Sequence, residues 1–151
     1  MNYWTLVEPI WEKVSIYDGT STFLQQYAEA PEVARTLLAA HWANSEIRNG
    51  GFIQFFTNRT GVLAPEAVQS FHSIGMPQIA KTMARAMDFF GPTYPRARTA
   101  RQKALKIGRD KDPAAVRNWF EPLDDAFFAA IDSENGGFEA MADRYAAKAA
   151  C

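Results

Sequence analysis

Apolar residues in this chain recur at steps of three and four, and that spacing restricts it to helices. Residues 31–47 (PEVARTLLAAHWANSEI) open with a proline suited to a first helical position. They set Ala34, Leu37, Leu38, His41, Trp42 and Ser45 on one stripe. Residues 76–90 repeat the pattern with Ile79, Met83, Ala86, Met87 and Phe90. A shorter helix is expected from Pro65 to about Ile74, with Val68 and Phe71 inward and Gly75 as its stop. No run of four or more residues alternates with β-branched bulk, and no strand–turn–strand signal occurs. The expected fold is therefore all-α, a single compact domain over 1–151 with seven to nine helices. A chain of 151 residues can bury a sizeable core, and 11 Phe and 4 Trp make that core rich in rings.

Two stretches complicate the pattern. The stripe Val116, Trp119, Phe120, Leu123, Phe127 and Ile131 is crossed by Pro122, whose ring removes a backbone donor and crowds the carbonyl four residues back. One helix is expected to stop near Phe120 and another to start at Pro122, with Asp124 and Asp125 in its first turn. Gly91, Pro92, Tyr94 and Pro95 mark a loop, followed by a helix from about Arg96 to Ile107. Its narrow stripe of Ala97, Ala100, Ala104 and Ile107 is expected to face inward. Arg98, Arg101, Lys106 and Arg109 would then fan outward as a basic face. Such a face suits phosphate contacts, and equally suits solubility or pairing with acidic segments of the same protein.

Residues 49–61, NGGFIQFFTNRTG, admit two readings. In the structural one, the helix ending near Ile47 needs a residue tolerant of a left-handed conformation, supplied by Asn49 or Gly50. Gly51 allows a second sharp step. Phe52, Phe55 and Phe56 then fall on one buried face of a short helix that Gly61 closes. A second NGGF at 135–138, between two further helices, favours this plain interhelical turn. In the functional reading, Glu46, Asn49, Gly50, Gly51, Gln54 and Asn58 form a polar site. Amides, a carboxylate and glycine N–H groups there would hold a small polar ligand or a partner's backbone.

Known chemistries find little support. GMPQIAKT (75–82) approaches a phosphate-binding loop, but Ala80 stands where a glycine belongs and no strand precedes it. His41 and His72 have no companion at metal-ligand spacing, and no nucleophile elbow occurs. The lone cysteine, Cys151, is the last residue and a poor candidate for a tuned nucleophile. No metal, no cofactor and no enzymatic activity are expected. The first residues lack the basic start and apolar run of a signal peptide, and no apolar run reaches 18 residues. The expectation is a cytoplasmic protein without a membrane span. The net charge of -1 conceals a pattern: -3 over 1–80, +7 over 81–118 and -5 over 119–151.

The run WANSEIRNGGFIQFFTNRTG (42–61) continues into PEAVQSFHSIG (65–75), AMDFFG (86–91), PRARTAR (95–101) and LDDAFF (123–128). In this order the segments resemble a bacterial family of unknown function named after a DNA-mimic protein. The resemblance spans about residues 32–132, with E-x-x-NGGF-x-QFF-x-N as its core. It implies an all-helical fold and, for the naming member, a dimer whose acidic surface binds a transcriptional regulator in place of DNA. Surface charge, not the glycine motif, would carry that activity. The acidic last third offers Asp124, Asp125, Asp132, Glu139 and Asp143 as a modest partner patch. The function expected is thus a non-catalytic protein-interaction module, its partner a protein such as a transcriptional regulator, with a homodimer also in view. Nucleic acid is not the expected partner. The alternative is a nucleic-acid or small polar ligand binder using the helix 96–109 or the NGGF bend.

Overall fold

The computed structural model describes residues 1–150, so Cys151 lies outside the described residues. Among the described residues eight α-helices follow one another: α1 (Trp4–Trp11), α2 (Thr20–Glu29), α3 (Glu32–Thr57), α4 (Ala64–Ser73), α5 (Pro77–Met87), α6 (Arg98–Lys111), α7 (Pro113–Ile131) and α8 (Phe138–Ala150). Three 3-10 turns, Arg59–Leu63, Asp88–Phe90 and Glu134–Gly136, join them, and no strand occurs among the described residues. The all-α expectation holds.

The long α3 is the organising element and touches α1, α4, α6, α7 and α8. Leu37, Leu38 and Ile47 from its first half and Phe52, Phe55 and Phe56 from its second are fully buried. The Phe56 ring lies 5.1 Å edge-on from Phe90, and 5.9 Å from both Tyr94 and Phe120. Aromatic pairs at such spacings stabilise by about 0.5–1.5 kcal/mol each beyond the area they bury. The helices expected at 65–74 and 76–90 appear as α4 and as α5 with its 3-10 extension, and Gly75 (φ 93°) ends α4 as anticipated. Ser45, placed on the inward stripe of α3, is exposed.

Four local expectations are corrected. The helix from residue 31 gives way at a kink at Gly50–Gly51, just past Ile47, and a second helical half runs on to Thr57, so the expected bend between two helical segments is present. The left-handed residue of that kink is Gly51 (φ 76°, ψ -176°), while Gly50 keeps a negative φ of -154°. Nor does Gly61 close the second half. It sits inside the following 3-10 turn, where an added Cβ would fall 2.5 Å from the Phe55 carbonyl oxygen.

Pro122 does not divide α7, which is continuous from Pro113 to Ile131. Pro122 and Asn118, whose carbonyl loses its partner, both face solvent, so water satisfies the freed group. Val116, Phe120, Phe127 and Ile131 on the opposite side stay buried across it.

The inward face of α6 is one residue out of register from the expected stripe. Arg101 and Leu105 are buried, while Ala97, Ala100 and Ile107 are exposed. Of the proposed outward face, only Lys106 and Arg109 reach solvent fully. Arg98 is half-buried, and Arg101 is 0% exposed.

Candidate functional site

The kink at Gly50–Gly51 brings the two halves of α3 into polar contact. Glu46, one turn before it, accepts from Gln54 Nε2 (2.8 Å) and Asn58 Nδ2 (2.9 Å) beyond it, both through Oε2. Asn49 Nδ2 donates to Gln54 Oε1 at 3.3 Å. One carboxylate oxygen thus gathers two amides, and a third amide backs the arrangement. The structure does bring together the residues singled out around the bend. It also commits one side-chain N–H each of Gln54 and Asn58 internally, in an open depression walled by Ser45, Arg48 and the same polar groups.

A kink also strands the first N–H groups of the second helical half. Phe52 N–H donates to Asp124 Oδ1 at 2.8 Å, so a carboxylate on α7 serves as an N-cap in trans. Burial pushes the Asp124 carboxyl above its ordinary pKa, while the Phe52 bond acts in the opposite sense. At Gly51 an added Cβ would lie 2.7 Å from Asp124 Oδ2, so glycine is needed for space as well as for φ.

The far end of α3 is finished in the same manner. It has no basic residue in its last turn and no glycine after it. Instead Arg101, on α6, donates to the carbonyls of Phe56 (2.8 Å), Asn58 (2.9 Å), Pro95 (3.2 Å) and Arg96. Arg98 Nε donates to Thr57 O (2.9 Å). A guanidinium suits the negative end of a helix dipole. Arg101 faces carbonyls rather than a carboxylate, and burial holds its pKa below the usual guanidinium value. Tyr94 Oη donates to Gly61 O (2.6 Å), and Arg96 bridges Val62 O and the Glu66 carboxylate.

The sequence segments 42–61, 95–101 and 123–128 therefore meet at one place, around the bend. The signature E-x-x-NGGF-x-QFF-x-N describes a clasp: an acceptor, a kink, a capped restart, buried rings and two amides that return to the acceptor. The second NGGF is an interhelical turn as expected, with Asn135 (φ 53°), Gly136 and Gly137 all at positive φ. The buried Glu134 before it caps α5 through the N–H groups of Gln78 (2.7 Å) and Ile79 (3.0 Å).

Of the acidic patch, Asp124 is committed to Phe52, and Asp143 accepts from Tyr3 N–H at 2.7 Å. Asp132 pairs with Arg48, whose hydrogen bond holds its carboxyl below the usual range. Asp125 and Glu139 are exposed. The five residues do not form one free acidic surface.

His41 is half-buried, its Nδ1 2.8 Å from Tyr3 Oη and its ring against Trp4 and Trp11. Burial lowers its pKa below 6.5. Among the described residues no group of three His, Cys, Asp or Glu gathers as a metal site, and no helix is long and apolar enough to cross a membrane.

Sequence reasoning missed Asp124, Arg101 and Glu134 as caps. The available signals were helix ends without local partners: Thr57 followed by no glycine, and Pro77 preceded by Met76, a side chain that cannot cap a helix start.

A family model described as DMP19-like protein matches residues 28–149, extending beyond the segments that carry the resemblance at both ends. Neither a curated protein nor a solved structure matches the chain.

Proposed function

Since this chain belongs to the DMP19-like protein family, we propose that it is a non-catalytic protein-interaction module whose working surface is the outer face of α7. The observation that carries this reading is the stripe Glu121, Asp125, Phe128 and Asp132. Steps of four, three and four place these residues on one face, all four are exposed, and the Phe128 ring is 45% exposed between carboxylates. An aromatic ring kept in water within an acidic frame suits a protein partner that offers an apolar pocket rimmed by Lys or Arg.

Charge density separates this surface from a replica of DNA. The stripe covers eleven residue steps, about 16 Å of helix. Duplex DNA carries about ten phosphate charges over that length. Here there are three carboxylates, one of them paired with Arg48. The complementary surface is a mixed basic and apolar patch, such as a transcriptional regulator could present, not the whole of a DNA-contacting face.

The alternative of a nucleic-acid binder on the helix 96–109 loses its outward row of cations. Arg101 is buried, Arg98 caps Thr57, and Lys106 pairs with Asp110 at 2.6 Å.

The test is affinity capture from the native cell extract, with wild type set beside Phe128→Ser and Glu121→Lys/Asp125→Lys. A partner captured by wild type and lost by both variants, at unchanged circular dichroism, is the expected result. Retention by both variants would sink the α7 surface. Binding of duplex DNA at about 150 mM salt, abolished by Lys106→Glu/Arg109→Glu, would replace it with the basic face.

A further inference from the structure

A cavity of about 340 Å³ opens between the loop before α2, the 3-10 turn after α3 and the start of α6. Ile16, Phe23 and Val62 give its lining an apolar part, and four arginines, Arg59, Arg96, Arg98 and Arg101, line it as well. Their commitments differ. Arg101 is spent on backbone carbonyls and Arg96 on Glu66. Arg98 uses only Nε, toward Thr57 O, and leaves both terminal nitrogens without a protein partner. Arg59 donates to no acceptor among the described residues; its guanidinium rests over the Tyr17 ring, 5.1 Å from the centroid. Neither Arg59 nor Arg98 forms an ion pair among the described residues, whereas Arg48, Arg85, Arg96 and Lys106 all do.

Two further features point into the same space. A smaller cavity shares Ile16, Tyr17, Arg59 and Arg98 with it and is lined further by Thr60, Asn58 and Glu46, whose carboxylate is taken up by the amides of Gln54 and Asn58. The Thr60 hydroxyl is buried and has no hydrogen-bond partner, the one such side-chain oxygen or nitrogen among the described residues. A buried hydroxyl left unpaired costs folding free energy, and such groups call for an explanation at the site where they occur. In addition, α6 begins beside the cavity without a side-chain cap and without an acidic residue in its first turn, so its leading N–H groups remain open to an anion.

We propose that this cavity binds a small organic anion: a phosphate or carboxylate head held by Arg59 and Arg98 where the two cavities adjoin, beside Thr60, and an apolar body lying against Ile16, Phe23 and Val62. The size is that of a small-molecule site, and a lining that combines apolar side chains with two uncommitted arginines suits an amphiphilic anion. The site is separate from the α7 surface and does not depend on it.

The test is isothermal titration of the full chain with phenyl phosphate, benzoate and inorganic phosphate, in chloride buffer. Saturable binding of phenyl phosphate or benzoate, at least tenfold tighter than inorganic phosphate, is expected. The better of the two identifies the head group. Arg59→Gln removes a side chain that hydrogen-bonds nothing in the protein, so it should weaken the binding at least tenfold with no change in melting temperature. Thr60→Val should weaken it while leaving the melting temperature equal or higher. No saturable binding of any of the three probes to the wild type would overturn the proposal. So would binding unchanged in Arg59→Gln, or inorganic phosphate binding as tightly as phenyl phosphate.

Discussion

Replacing Arg101 by methionine isolates the trans-cap that closes α3. The side chain is fully buried and donates to four backbone carbonyls, those of Phe56, Asn58, Pro95 and Arg96. Methionine fills much of the same volume and removes every donor. Asn58 O retains a bond from Gly61 N–H (3.2 Å), so three carbonyls lose their partner. Each buried acceptor left unsatisfied costs about 1–3 kcal/mol. Pro95 and Arg96 are only half-buried, so water reaches that side and the lower part of the range applies there. The expected loss is about 3–5 kcal/mol, or a fall in Tm of about 10 °C for a chain of this length. Arg101→Lys should recover only part of it, because one ammonium cannot meet carbonyls that lie on two sides of a planar fork. Urea unfolding followed by circular dichroism measures the difference, with an unchanged m value as the check on two-state behaviour. If Arg101→Met stays within about 1 kcal/mol of wild type, the clasp reading fails. The arginine would then be a tolerated buried charge of the kind apolar residues often replace without loss.

Other perturbations follow from the same bend. Gly51→Ala should cost about 3 kcal/mol, combining a glycine-only backbone region with displacement of the Asp124 cap. Gly50→Ala, whose added Cβ would fall 2.8 Å from Gln54 Cβ and push that amide off Glu46, should cost about 1–2 kcal/mol, without the backbone strain; a larger loss at Gly50 than at Gly51 in denaturant melts would contradict the assignment of Gly51 as the strained position. Phe55→Ala should cost about 3–5 kcal/mol, since the ring is completely buried; a melting temperature near wild type would show that it is not a core residue. Burial lowers the His41 pKa below 6.5. As pH falls beneath 6.5 the unfolded chain takes up the proton before the folded one, so stability declines until the depressed folded value is reached. His41→Gln should remove that slope from a pH series of melts, and a slope unchanged by the substitution would exclude His41 as its source.

The parts of the fold legible in the sequence are those where large side chains set the period. The stripe of α5 and the ring face at Phe52, Phe55 and Phe56 needed no tertiary information, because burying Phe or Met leaves few alternatives. In α6 the same method failed by one residue. Alanines at 97, 100 and 104 are neutral between faces, and the true inward set of Arg101, Leu105 and Gly108 contains a charge no periodicity rule would bury. Pro122 misled for a related reason: proline breaks helices when its lost bond is buried, and only the fold places Asn118 in water. At the bend, Glu46, Gln54 and Asn58 were recognisable as neighbours along the chain. Their closing partners were not, because Asp124 lies 72 residues from Phe52 and Arg101 lies 45 from Phe56. Donors and acceptors supplied in trans leave no local trace beyond an end that lacks its own cap.

The distance in sequence between the bend and its caps bears on the order in which the chain can fold. A chain made from its N-terminus exposes residues 46–58 well before Arg101, and Asp124 comes later still. Until then only the contacts from Glu46 to Gln54 and Asn58 are available, eight and twelve residues apart. Closing loops of 45 and 72 residues costs more entropy than these local contacts, so the caps are expected to dock after them. The expectation is that the clasp closes late. Weakening it at Arg101 or Asp124 should leave the refolding rate close to wild type and appear instead as faster unfolding, the signature of contacts absent from the transition state. It is the resistance to unfolding, more than the speed of folding, that the motif around the two glycines sets.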